Sequence, residues 1–281
     1  MTHDIAGDEL PSGKLANDID VAKDWRGEEI SCGNCRHADL LAEGKCALKH
    51  SCVRDRYAKR VDRFFNWNKS LANEYLGHPY FEVRAIAAKH ADVFQLPRLR
   101  DDPDETVRWS AAQRLPAKQL LGMRNDPHRE VRIRVANRLE GADLFPMMHD
   151  SDYYVRMIVA RRVQPVMLQQ MMHDQDAEVR RIVAQRIDPN WLPLMSRDAD
   201  ADVRLEAAKR LKPHQLRWLS CDADWRIRYE VACRALVDAL LSMRDDEDQM
   251  VREKVNERLD TELSAEELEE LECADDCLME V

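Results

Sequence analysis

Glycine is scarce, with 8 in 281 residues, and aromatic residues make up only 6%. So few glycines argue against a turn-rich β fold and against a Gly-rich phosphate loop. No apolar run approaches the ~18 residues that a membrane helix needs, so no membrane association is expected. The first ten residues, MTHDIAGDEL, are acidic and lack a basic stretch followed by an apolar one. A secretory leader is therefore not expected, and the cytoplasm is the expected compartment. In that compartment the eight cysteines read as thiols or metal ligands rather than disulfides. The chain also lacks a C-x₃-C-x₂-C radical motif and any nucleophile with a base at a telling spacing. It is not expected to be an enzyme.

The net charge of −10 is unevenly placed. Asp260 to Val281 holds ten acidic residues and no basic one, so this tail alone accounts for the whole excess. Residues 1–31 carry 3 basic and 8 acidic side chains, whereas residues 32–65 carry 8 basic and 4 acidic ones. Two acidic ends flank a basic segment and a near-neutral body, which is not the footprint of a nucleic-acid binder.

The body is a tandem repeat. Val-Arg recurs at Val83, Val107, Val131, Val155, Val179, Val203 and Val251, and Ile227-Arg228 fills the gap, so eight copies follow at a constant spacing of 24. With this residue as position 0, positions +4 and +8 are always apolar, and +5 is Ala in every copy but the last, where it is Asn256. At about 100° per residue these positions span roughly 140°, one buried face of a helix. Asp at −5 (Asp102, Asp126, Asp150, Asp174, Asp198, Asp222, Asp246) marks the helix start, with Pro103 and Pro127 suiting a first helical position. A second Asp at −3 in most copies leaves the cap register open by two residues. Pro116, Pro165, Pro189 and Pro213 end the helix.

Leu at +13 and Leu or Met at +16 then predict one or two turns of 3₁₀ or α helix. No copy alternates as a strand does. One such unit buries too little to order itself, so the units must stack. Arg at +1 recurs in all eight copies inside the apolar arc. It is expected to reach a carboxylate or carbonyl of the adjacent unit, forming a ladder. Arg at +7, replaced by His90 in the first copy, is expected to lay its stem over apolar neighbours, with an anion-binding surface as the alternative.

Cys32, Cys35, Cys46 and Cys52 form a C-x₂-C-x₁₀-C-x₅-C pattern within 21 residues. Four thiolates so close read as a metal site. Gly33 and Gly44 suit the turns, and Arg36, Lys45, Lys49, Arg54 and Arg56 would offset thiolate charge. The wide second pair suits a larger cluster, so iron–sulfur leads zinc and unliganded thiols on spacing alone. His37 and His50 read as solvated neighbours. Val53, Tyr57, Val61 and Phe64 or Phe65 predict an amphipathic helix that, with Trp67, packs the cysteine segment onto the first repeat. An electron route through Trp67 is the alternative to core packing. Cys221 and Cys233 read as incidental, and Cys273 and Cys277 fall in the acidic tail.

These features together resemble the leucine-rich repeat variant proteins of nitrogen-fixing bacteria. The carriers are Cys32, Cys35, Cys46 and Cys52, plus units such as DADADVRLEAAKRLKPHQLRWLS from Asp198 to Ser220. Ordinary leucine-rich repeats differ, because no unit here contains the strand-forming L-x-x-L-x-L. The resemblance implies an all-α, right-handed superhelical solenoid of 24-residue repeats capped by a small four-cysteine domain, with a [4Fe–4S] cluster on the four cysteines. His90, Asn256 and Ser264 depart from the pattern at the ends. The expected organisation is an acidic, flexible segment 1–26, a cluster domain 27–68, a solenoid 69–263 and a tail 264–281. The expected function is a redox- or oxygen-responsive scaffold that binds a protein partner, with nitrogen fixation as its implied context. The alternative is an adaptor whose metal site is purely structural.

Overall fold

The computed structural model describes residues 21–263. The segment 1–20 and the tail 264–281, with Ser264, Cys273 and Cys277, lie outside the described residues. The chain forms two compact units, Met1–Val135 and Ala136–Val281. Among the described residues the secondary structure is helical, with two isolated bridges and no strand.

The first unit opens with the cysteine segment, which contains α1 (Ala38–Ala42) and α2 (Ala58–Trp67). A 3₁₀ turn, Lys69–Tyr75, leads to α3 (Phe81–His90), the long helix of the first repeat. The 3₁₀ helix Val93–Leu99 and the helix Glu105–Ala112 follow. In the second unit the alternation continues, for example Tyr153–Arg162 then 3₁₀ Pro165–Met171, and Ala201–Arg210 then 3₁₀ Pro213–Leu219. Positions 0, +4, +8, +13 and +16 are buried in every described copy. Alanine at +5 is buried as well, because a larger side chain would hold neighbouring helices apart, while Asn256 in the last copy is exposed.

The cap lies at −3, not at −5. Asp104, Asp152, Asp176, Asp200, Asp224 and Asp248 accept the backbone N–H two residues on, as helix N-caps do. Pro103 and Pro127 therefore precede the helix rather than opening it. The Asp at −5 has another task. Its Oδ1 accepts the N–H of residue −3, as from Asp200 to Asp198 at 2.9 Å, and both of its oxygens receive the guanidinium fork of the preceding repeat.

This fork is the expected ladder. Arg180 donates Nε to Asp198 Oδ2 at 2.7 Å and Nη2 to Oδ1 at 2.8 Å, eighteen residues away. Its Nη1 holds the carbonyls of Asp174 and Gln175, so the same side chain also braces its own loop. The first unit has the rungs Arg84–Asp102 and Arg108–Asp126. The second has Arg156–Asp174, Arg180–Asp198, Arg204–Asp222 and Arg228–Asp246. A planar fork suits a carboxylate where a lysine's point charge does not.

The arginine at +7 has partners that neither expectation named. Arg210 donates to the carbonyls of Ala184 at 2.6 Å and Ile187 at 2.7 Å, at the C-terminal end of the preceding long helix. Arg234 does the same to Ala208 and Leu211, and Arg258 to Ala232 and Ala235. Carbonyls in the last turn of a helix are short of intrahelical donors and carry the negative end of the helix dipole, so a cation there serves both needs.

Removing one partner of a rung strands the other. Arg180→Ala and Asp198→Ala are each expected to cost about 3–5 kcal/mol in denaturant unfolding, and Arg180→Lys to recover only part of the loss. Acid acts on the same groups. Burial alone would raise the carboxyls of Asp198, Asp222 and Asp246, but the bonds from Arg180, Arg204 and Arg228 and the following backbone N–H groups outweigh it and hold all three low. A depressed folded value gives stability that is present above the unfolded pKa, about 3.9, and is lost as pH falls through the folded one. Melting temperature should hold down to pH about 5 and drop below about 4, with Asp198→Asn making the drop shallower.

Candidate metal centre

The first cysteine pair is shaped by a tight turn. Cys35 N–H bonds the Cys32 carbonyl at 3.2 Å, and the Cys35 carbonyl accepts the N–H of Ala38, which opens α1. Both cysteines are half-buried. Gly33 is not required here, since its φ is not positive and a Cβ would meet only Ser31 Oγ at 3.7 Å. Gly44 is required, at φ +70°, where the chain leaves α1 toward Cys46.

The second pair is made by a hairpin. Ala47 and Ser51 bond each other in both directions, N–H to carbonyl, at 2.9 and 2.8 Å. The loop between them passes through Lys49 in the left-handed region, φ 62°. Cys46 and Cys52 immediately flank the bridged residues and so become neighbours. Five intervening residues therefore bring two sulfurs together as closely as a short spacing would, and loop length does not discriminate a cluster from zinc. Both thiols are buried. Burial pushes the Cys46 thiol up to about 12, reinforced by Cys52, Cys35 and Cys32 beside it. Burial likewise pushes Cys52 up, with Cys35 again among its neighbours. The four thiols thus share one region.

The surroundings extend further than the sequence boundary at residue 27. Ala22 and Ile30 pack on Cys52, Lys23 bridges Glu29, and the Lys23 carbonyl accepts the Arg56 N–H at 3.1 Å. Residues 21–26 therefore belong to this packing. On the other side, Val61, Phe64 and Phe65 of α2 are fully buried. The helix begins at Ala58, and Val53 sits in the turn before it. Asn68 ties the two parts, donating Nδ2 to the carbonyls of Lys45 and Phe64.

Two expectations are overturned. His37 is buried, not solvated, and its ring packs against Phe64 while Nε2 hydrogen-bonds the hydroxyl of Tyr75. Burial lowers the His37 pKa, and Arg36 adds to the shift. Trp67 is not core. It is 43% exposed and lies against His50, which is itself exposed. The segment meets the first repeat instead through Phe65 and Asp62 against His90, Arg36 against Glu74, and Trp25 stacked on Tyr80.

The residues suit an iron–sulfur cluster, which needs thiolates in a dry pocket and hydrogen-bond donors toward sulfur. Ser51 is fully buried, and its hydroxyl has no partner. Nearby carbonyls are already engaged, that of Cys52 by Asp55 N–H and that of Arg60 by Cys52 N–H. A buried hydroxyl beside Cys52 fits a pocket made for an additional acceptor. Among the described residues no three His, Cys, Asp or Glu side chains converge as they would on a single metal ion.

Three comparisons bear on this arrangement. Residues 22–74 match the family described as "LRV protein FeS4 cluster". A solved structure described as a leucine-rich repeat variant with a novel repetitive structural motif is 39% identical, with a TM-score of 0.78 over 82% of this chain and 99% of that one. The chain belongs to the leucine-rich repeat variant family. Its fold is the solenoid of that family, and the matched cysteine segment indicates a [4Fe–4S] cofactor. An uncharacterized 27.7 kDa protein in the nifB 3′ region of Rhodobacter capsulatus is 58% identical over 85 residues. That match covers 30% of this chain and 35% of the relative's length.

Sequence reasoning missed the His37–Tyr75 link. A signal existed, because Tyr75 stands 24 residues before Leu99 and so falls in the +16 register, where other copies carry Leu or Met. A tyrosine there brings a hydroxyl into the core and needs a partner. Tyr75→Phe should leave buried His37 unsatisfied and cost about 1–3 kcal/mol, measured by denaturant unfolding of the purified chain.

Proposed function

We propose that Cys32, Cys35, Cys46 and Cys52 hold the [4Fe–4S] cluster and that the chain is a redox- or oxygen-responsive binding protein rather than an enzyme. The observation that carries this reading is the asymmetry of the quartet. Cys46 and Cys52 are buried, while Cys32 and Cys35 are half-buried. Such a site holds its cofactor in a dry wall yet leaves one edge within reach of an electron carrier or oxygen. When bound, the cluster supplies a one-electron couple whose potential depends on burial and on hydrogen bonds to sulfur. The chain's own part is to deliver four thiolates and to shield two of them, with Arg54 and Arg56 adding positive charge next to Cys52 and Ser51 available as a donor. The raised Cys46 and Cys52 thiols must lose their protons to become ligands, so cofactor loading releases protons and is favoured by higher pH.

The repeats are the surface for a protein partner, as solenoids offer extended faces. The relative in the nifB 3′ region supports a context in nitrogen fixation. Among the described residues no helix is long and apolar enough to cross a membrane. A purely structural role is favoured by one observation, the packing of Cys52 on Ala22 and Ile30, which ties ligand and local core together.

Anaerobically purified protein should be brown and carry about four irons per chain. Cys46→Ser and Cys52→Ser should each lose the colour and most of the iron. A colourless protein with one zinc would overturn the redox reading. Partner binding that is indifferent to cluster loss would leave the structural role.

A further inference from the structure

Around the Cys46–Cys52 hairpin the surface combines exposed apolar groups with cations. Leu48, Lys49 and His50 form the exposed tip, between two of the proposed ligands. Trp67 stands beside the tip, its ring 5.6 Å from that of His50. Leu41, Leu48 and Trp67 are 40%, 37% and 43% exposed, all within this one small segment. Arg63 donates to both the Nδ1 and the carbonyl of His50, which fixes the ring against Trp67 and holds a positive charge there.

Three of the segment's four acids are engaged with other cations: Asp55 is buried against Arg60, Asp62 faces His90 and Lys89 of the first repeat, and Glu43 is paired with Lys45. The fourth, Asp39, is exposed on α1. The segment 32–65 as a whole carries 8 basic against 4 acidic residues, in a chain whose net charge is −10.

From this we infer that the hairpin tip and Trp67 form a docking surface for a small acidic one-electron carrier protein. The inference rests on the redox reading above and names the partner for that site. Three features point to this occupant. The tip is separated by three or fewer residues from Cys46 and Cys52, so a partner seated on it lies beside the part of the chain that carries two of the proposed ligands. The patch is small, with an aromatic centre and a charged rim, which matches the weak, transient interfaces of electron carriers rather than a permanent assembly. The charge is positive where the rest of the chain is neutral or acidic, so a negatively charged partner is steered to this face and repelled elsewhere.

The test uses the full-length, cluster-loaded protein and two acidic probes, a plant-type [2Fe–2S] ferredoxin and a flavodoxin, with basic cytochrome c as the opposite-charge control. Titration calorimetry under argon at low ionic strength should show one-to-one binding of at least one acidic probe and none of cytochrome c. Raising the salt to about 0.3 M, which shortens the Debye length to well under 10 Å, should weaken binding at least tenfold. Leu48→Glu and Trp67→Ala change exposed side chains and should leave the iron content intact, yet each should weaken binding at least fivefold. Lys209→Glu, in a later repeat, should change nothing. No binding by either acidic probe, or variants that bind like the parent chain, would overturn the inference. So would a patch occupied by a second copy, seen as a dimer in sedimentation that Trp67→Ala returns to monomer. A chain that holds no iron fails the earlier reading instead, and metal content reports that separately.

Discussion

A helix of ten residues leaves about eight of its twenty backbone groups without an intrahelical partner, and the whole repeat is arranged around that shortfall. Most of the long helices start with an aspartate of their own and end on an arginine borrowed from the next copy. Ala201–Arg210, for instance, is capped at its start by Asp200 and covered at its end by Arg234. The Arg at +1 supplies the lateral tie, an ion pair with little exposure to water, as in Arg156–Asp174 at 6% and 7%. Such pairs add little net stability compared with apolar replacements, because both charges are desolvated. Their contribution is register. A fork that must meet a carboxylate eighteen residues on permits one alignment of neighbouring units, whereas aliphatic faces alone would tolerate sliding.

The cysteine segment solves the same shortfall by other means. It has little regular structure, so its backbone groups are satisfied one at a time, by Asp24, Asp55 and Asn68 side chains and by the hairpin bridge. The 3₁₀ turn Lys69–Tyr75 then places Ala72 and Tyr75, both buried, where the repeats place their two short-helix residues. The segment joins the stack of its unit by presenting the stack's own surface, with an aromatic pair in place of aliphatic contacts.

The sequence shows plainly what recurs, and less plainly why. The buried helical face was legible because apolar positions are repeated at helical spacing, and eight copies average out local exceptions. The ladder was legible in kind, since an arginine inside an apolar arc must find a partner. Which of two aspartates capped the helix was not, because −3 and −5 recur together and both types of contact need a carboxylate. The role of the arginine at +7 was hidden, since its partners are main-chain carbonyls, which every residue has. In the cluster segment, the ligand candidates stood out by number and proximity. The folding-back of Ala47–Ser51 did not, as it depends on Lys49 adopting a backbone conformation that lysine seldom takes. Burial of His37 and exposure of Trp67 run against the usual habits of both residue types, and only the packing of Tyr75 and His50 accounts for them.

The +1 fork and the +7 cover both reach from one copy to its neighbour, and neither depends on which copy that is. In the second unit, the aspartate that receives Arg180 has the same setting as the one that receives Arg204. Excision or duplication of 24 residues there would leave every remaining rung with a partner of the right kind, whereas a change by any other number would put an arginine opposite the wrong side chain. Array length is thus free to drift by whole modules, and the reach of the molecule can be altered without redesigning a single contact.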